Sequence, residues 1–198
     1  VAIPKSYTND DLKNLSKGFK KAALEFGIEI IGGDTISNEK LDISITIISK
    51  TSKPIYRNTM NKGDILCYTG TLGFSKKDLE KLLKNKEISK TSKFIKPTLK
   101  QKFFYEIAPF ITTSMDISDG LFFELERLSK ANNLGFEFFH DIDEDIGTSG
   151  EEYEILFSFD PKYLEKIKKI ALKHKVKLNP FAKAVKGKYS TKFNNHHF

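Results

Sequence analysis

The stretch Met115-Asp116-Ile117-Ser118-Asp119-Gly120-Leu121 limits what this chain can fold into more than any other. Two carboxylates stand three residues apart with Ser118 between them and a glycine after them. Met115, Ile117 and Leu121 tie the run to a core. Beyond it, Leu121, Leu125 and Leu128 recur at spacings of four and three, the period of a helix. The pattern predicts a strand that turns directly into a helix N-terminus. Free N–H groups at such a terminus attract phosphate, and hard divalent cations take oxygen ligands. Asp116 and Asp119 therefore suit a cation held beside a phosphate. The competing reading, that Asp119 only caps the helix, accounts for one carboxylate but not for two flanking a serine.

Around this turn the chain alternates strands and helices without a strict period. Asn9–Phe26 carries an apolar stripe from Leu12 through Leu15, Phe19, Ala22 and Ala23 to Phe26, with Thr8 or Asn9 as cap and Gly27 as stop. Ile28–Ile31 and the alternating Leu41–Ser49 read as strands, expected to pair antiparallel across the loop from Asp34 to Lys40. Thr51–Asn61 is polar, contains Pro54 and marks a domain boundary, dividing the chain into residues 1–60 and 61–198. Further strands are expected at Ile65–Thr69, Ile111–Asp116, Gly135–Phe139 and Ile155–Phe159, with two short ones at Val176–Leu178 and Ala182–Val185. Helices are expected after Ser75, Pro97 and Pro161, and a loop over Asp141–Gly150. The fold class is α+β, or mixed α/β, rather than a doubly wound sheet.

The 33 basic and 26 acidic residues leave a net charge of +7. Such a surface is compatible with nucleic acid, with a Lys-rich proteome or with an anionic phosphate substrate; no nucleic-acid-binding motif accompanies the charge. A lone cysteine, Cys67, excludes an internal disulfide and is compatible with a reducing cytoplasm. No apolar run reaches the roughly 18 residues of a membrane span, and no signal peptide is visible. The chain opens at Val1 without a methionine, as a piece of a longer protein would.

Two other stretches carry candidate chemistry. Gly32-Gly33-Asp34-Thr35 follows an apolar run, and its glycines allow close backbone approach to a ligand, although Gly-Gly-Asp is also ordinary turn chemistry. Ser149-Gly150-Glu151-Glu152-Tyr153-Glu154 packs three carboxylates and a ring into six residues. The four histidines show no spacing with cysteine that suits zinc. Thr69–Ser75 resembles a phosphate loop only loosely, since no Lys-Ser/Thr closes it.

Taken together, these stretches resemble thiamine-monophosphate kinase, a family of the AIR synthase-like (PurM-like) superfamily. Ile31-Gly-Gly-Asp-Thr35, Lys62-Gly-Asp64 with Tyr68-Thr-Gly-Thr-Leu-Gly73 and Ser75, and Asp116-Ile-Ser-Asp-Gly-Leu121 are similar to its motifs in order. Ser149-Gly-Glu-Glu-Tyr-Glu-Ile-Leu-Phe157 is similar to the most specific of them, Gly-Gly-Glu-Asp-Tyr-Glu-Leu-Leu-Phe. The His197-Phe198 ending also resembles the family's close. The resemblance implies a two-domain PurM-like architecture whose N-terminal ATP-binding and dimerisation domain is incomplete here. It implies an ATP- and Mg²⁺-dependent phosphorylation of thiamine monophosphate to thiamine diphosphate by a cytoplasmic homodimer, with no nucleic acid, membrane or protein nucleophile involved.

By position, Gly33, Asp34, Arg57 and Ser118 would contact ATP. Asp34, Asp116 and Asp119 would hold Mg²⁺, and Glu151 and Phe198 would bind the thiamine moiety. Glu152 stands where the family usually has Asp, and the segment from Phe139 to Ser149 is short. Family members begin with about 70 further residues that carry other Mg²⁺ ligands, so the 198 residues alone are expected to turn over little. Alternative readings are another PurM-like ATP enzyme of the AIR synthase or selenophosphate synthetase type, or a non-catalytic basic binding module.

Overall fold

A computed structural model describes residues 1–193. The chain divides into two compact units, Val1–Ser52 and Lys53–Phe198.

In the first unit, β1 (Ala2–Pro4) is followed by α1 (Asn9–Phe26) and β2 (Ile36–Asn38). Helix α1 starts with a capping box: the Asp11 N–H donates to Thr8 Oγ1 at 3.2 Å and the Thr8 N–H to Asp11 Oδ2 at 2.9 Å. It stops at Gly27, whose φ of 64° is the left-handed conformation that sequence-encoded helix ends favour. The strands differ from expectation. β1 pairs with β2 in parallel, Ala2 opposite Ile36, and Asp42 joins by a lone antiparallel bridge to Ala2. Among the described residues, neither 28–31 nor 41–49 forms a ladder, and the expected loop supplies β2 instead. Alternation shows only that a segment has two faces; a strand exists where another backbone offers its N–H and C=O groups.

The second unit contains β3 (Ile65–Thr69), α2 (Phe74–Leu83), α3 (Gln101–Ile107), β4 (Thr113–Ile117), α4 (Leu121–Asn132), β5 (Leu134–Phe138), α5 (Glu144–Gly147), β6 (Glu154–Phe159), α6 (Leu164–Lys173) and β7 (Leu178–Lys186). The strands form an antiparallel sheet in the order β4-β6-β3-β7-β5. Side chains alternate across it into two cores. Leu66, Met115, Ile117, Leu156 and Phe181 pack with Leu121, Leu125 and Leu128 of α4. Cys67, Phe157 and Phe159 pack with Phe103 and Ile107 of α3 and with Ile167 and Ile170 of α6. Because both faces are covered, β6 is buried at nearly every position. This explains why Ile155–Phe159 is apolar at every position but Ser158 rather than alternating.

Strand β7 is one element where two were expected, because Pro180 reads as a breaker. Leu66 pairs with Ala182 and Cys67 with Pro180, so Phe181 is the extra residue of a bulge. Within a sheet a bulge is one of the few places that tolerates a residue without an N–H. The α+β class holds. Among the described residues no helix is long and apolar enough to cross a membrane.

Candidate functional site

Strand β4 lies at the edge of the sheet, and Asp116 is its exposed position between the buried Met115 and Ile117. The strand then turns on Gly120, whose φ is 115°. A β-carbon there would sit 3.1 Å from the Gly147 carbonyl oxygen, so both conformation and space require glycine. Helix α4 begins without a side-chain cap on its Gly120 N-cap. Glu124, fully buried in its first turn, does the local holding instead. It accepts from the Asp119 N–H at 3.1 Å and Ser118 Oγ at 3.3 Å, and takes Arg127 Nη1 at 2.8 Å. Arg127 also pairs with the Asp119 carboxylate through Nη2. Its hydrogen bond to Glu124, ahead of the opposing burial and the Asp119 contact, raises the guanidinium above its ordinary pKa.

The loop 147–153 closes over this turn. The Glu151 N–H donates to the Ser118 carbonyl at 2.6 Å and the Tyr153 N–H to the Ile117 carbonyl at 2.9 Å. Gly150 makes the closure possible, since a β-carbon there would fall 2.9 Å from the Ser118 carbonyl oxygen. Glu151 and Tyr153 are both left-handed, with φ of 55° and 50°. The Tyr153 hydroxyl donates to Glu151 Oε2 at 2.5 Å. That bond, then burial, then the charges of Glu151, Asp116 and Asp119 push the phenol up to about 12. Arg57 reaches the same place: its Nη2 is 3.8 Å from Asp116 Oδ1, with both side chains more than half exposed.

The remaining positions are distributed differently. Gly33 and Asp34 lie in the first unit, where Asp34 Oδ1 accepts the Thr35 N–H at 2.8 Å and its carbonyl accepts the Val1 amine at 2.7 Å. Phe198 lies outside the described residues. Among those residues, no group of three or more His, Cys, Asp or Glu side chains is arranged to hold a metal. The donors at the turn are thus a pair of aspartates. That fits Mg²⁺, which keeps several waters and binds through one or two carboxylates together with phosphate oxygens. It does not fit zinc, which takes sulfur and imidazole ligands.

Glu124, Arg127 and Glu152 were not evident in the sequence as site-builders. For the first two a signal exists, an acid and a base three apart on the first turns of a helix. Glu152 had none. Its buried carboxylate accepts the Gly73 and Ser75 N–H groups at 2.7 and 3.1 Å, Ser149 Oγ at 2.7 Å and Lys93 Nζ at 2.9 Å. The loop-like Thr69–Ser75 turn thus has its amides filled by the protein's own carboxylate. Beside it Glu154 accepts Thr69 Oγ1 at 2.6 Å and Lys93 Nζ at 2.8 Å. A cleft of about 480 Å³ between Phe122, Phe138, Tyr189 and Phe193 lies apart from these groups; none of Asp116, Ser118, Asp119 or Glu151 lines it.

Residues 1–51 match the family model described as AIR synthase related protein, N-terminal domain. The thiamine-monophosphate kinase of Pyrococcus horikoshii is 27% identical over 183 residues, covering 84% of this chain and 59% of the relative. The crystal structure of thiamine monophosphate kinase from Aquifex aeolicus superposes with a TM-score of 0.79 at 21% identity, over 94% of this chain and 69% of that one. The AaThiL structure complexed with AMPPCP and TMP gives 0.77 at 19% identity, over 100% and 71%. The chain spans about three fifths of the length of its first curated relatives.

Proposed function

We propose that the chain belongs to the thiamine-monophosphate kinase branch of the AIR synthase-related, PurM-like superfamily and serves ATP- and Mg²⁺-dependent phosphorylation of thiamine monophosphate. The terminal phosphoryl group of ATP passes to a phosphate oxygen of the acceptor, giving thiamine diphosphate and ADP. The observation that supports this reading is the placement of Asp116 and Asp119 at one strand-to-helix turn, with the Glu151 N–H on the Ser118 carbonyl and Arg57 beside Asp116. Phosphoryl transfer asks mainly for positioning and charge neutralisation, and needs no nucleophile from the protein.

In this reading Asp116 and Asp119 would hold Mg²⁺, which would supply charge neutralisation to the phosphate oxygens. Arg57 turns its guanidinium toward the triphosphate, and Ser118 contacts the nucleotide. Gly33 and Asp34 would contact ATP, and Asp34 would also hold Mg²⁺, as the resemblance implies. Arg127 and Glu124 keep the Asp119 turn in place while Asp119 changes partners. Glu151 would face the cationic thiamine moiety, for which a carboxylate is the natural counter-charge, and Phe198, outside the described residues, keeps only the thiamine-binding role that the resemblance implies. Residues 1–60 belong to the ATP-binding and dimerising domain, residues 61–198 to the C-terminal domain. The protein works as a cytoplasmic homodimer, a setting consistent with its free, buried cysteine.

Calorimetry with AMPPCP and thiamine monophosphate, with and without Mg²⁺, tests the reading. Asp116→Ala and Asp119→Ala are each expected to weaken Mg²⁺-dependent nucleotide binding by about tenfold or more, the effect of losing a charge-assisted contact. Lys76→Ala, which removes an ion pair to Asp145, should leave it unchanged. Nucleotide binding indifferent to Mg²⁺ and to both aspartates would sink the proposal. Binding of nucleotide but not of thiamine monophosphate would point to another PurM-like ATP enzyme.

A further inference from the structure

We infer that Glu152 is a positioning residue for the substrate-facing Glu151, acting as an internal anion that locks the 149–153 loop onto the N-terminus of α2; this rests on the thiamine-phosphate reading above.

Three independent observations carry it. First, Glu152 is 1% exposed, yet its carboxylate is fully engaged: two backbone N–H groups and a serine hydroxyl meet Oε1, and Lys93 meets Oε2. Helix α2 has no side-chain cap of its own, so this distant carboxylate satisfies its free amides. Second, the lock has a further link straight to Glu151: Ser75 Oγ donates to the Glu151 carbonyl at 3.0 Å, while the Lys76 N–H donates to Ser149 Oγ at 3.2 Å. Third, the residues on either side of Glu152 are both non-glycine and both left-handed. That conformation persists only where surrounding contacts over-determine it. Here those contacts are the Glu152 anchor on one side and the β4 carbonyls of Ile117 and Ser118 on the other. The Glu151 backbone is thereby held on the Asp116–Asp119 turn through the Ser118 carbonyl, and its carboxylate takes the Tyr153 hydroxyl.

Lys93 completes the device. Its ammonium bridges Glu152 and Glu154 and also donates to the Thr71 carbonyl at 3.1 Å. It straps the segment between α2 and α3 across the buried pair. The anion needs its full charge, since a neutral amide presents one acceptor oxygen where four donors converge.

The test is Glu152→Gln in the intact chain, read by affinities for thiamine monophosphate and for Mg²⁺-AMPPCP and by amide exchange. The expected result is selective: thiamine monophosphate binds about tenfold more weakly, the nucleotide within about twofold of wild type. Amides of residues 151 and 153 should exchange faster while those of β6 keep their protection. Glu152→Asp, which keeps the charge, should recover much of the loss. Should Glu152→Gln fail to fold, Ser75→Ala removes the direct link to Glu151 without touching the buried charge and decides the matter by the same readouts. Wild-type affinity together with unchanged exchange at 151 and 153, or equal loss of both ligands, overturns the inference. If wild type itself does not bind thiamine monophosphate, the functional reading falls, while the exchange measurement still judges the lock.

Discussion

In residues 41–49, Ile43, Ile45 and Ile47 alternate with polar residues and stand 40%, 68% and 75% exposed. In β6, Leu156, Phe157 and Phe159 are each at most 1% exposed. Both are short β-branched or aromatic runs, and only one is packed. The first has a single bridge beside it, at Asp42. The second is flanked by β3 and β4, with α4 below and α3 and α6 above. Helix α1 repeats the lesson: its ends are fully specified by a capping box and a left-handed glycine, yet none of its residues is buried. Local signals form elements; their apolar faces stabilise the fold only where a neighbour covers them.

That contrast predicts unequal sensitivity to mutation. Phe157→Ala leaves a void beside Phe103 and Phe159, and urea denaturation of the second unit should show a loss of about 3–5 kcal/mol. Ile47→Ala should change stability by no more than about 0.5 kcal/mol. A loss comparable to that of Phe157→Ala would break the comparison by showing that residues 41–49 are covered in solution.

Lys93→Met removes one partner of a buried pair and should cost roughly 3 kcal/mol, the low end for such a loss because the lysine keeps some contact with water. Burial lowers the Lys93 pKa, and the hydrogen bonds to Glu154 and Glu152 more than compensate, leaving it above 10.5. A raised folded pKa stabilises fully below the unfolded value and loses that contribution as pH rises through the folded one. The wild-type and Lys93→Met stability curves should therefore approach each other above pH 10.5 and run parallel at neutral pH. Curves already converging at neutral pH would mean that Lys93 is not bound to the two glutamates.

A local effect belongs to the exposed capping box. Thr8→Ala should cost about 1 kcal/mol, seen as faster amide exchange in the first turn of α1 with no change in the second unit. A change propagating into β6 or α4 would show that the units are energetically coupled.

Much of the candidate site was legible beforehand. Asp116, Ser118 and Asp119 stand at a strand-to-helix turn as their spacing predicts, and Glu151 folds back onto them. Arg57 ends beside Asp116 although 59 positions separate them, which the family resemblance suggested and the pattern of residues alone did not. The roles of Glu124 and Glu152 were not readable, because an acidic residue near a motif reads as solvent-facing until its burial is known. The Thr69–Ser75 turn, read as only loosely like a phosphate loop, has its amides occupied by a carboxylate of the protein itself.

By itself the sequence determined the helices, their caps, the strand-turn-helix at Asp116–Leu121 and the strands of the second unit that carry a period or a continuous apolar run. These depend on hydrogen bonds and side-chain contacts among residues a few positions apart. Tertiary structure alone decided the strand order, the pairing of β1 with β2, the bulge that admits Pro180 and the anchoring of Gly73 by Glu152 across 79 residues. Those outcomes depend on which distant backbone arrives to offer a donor or an acceptor, and no short-range pattern records that.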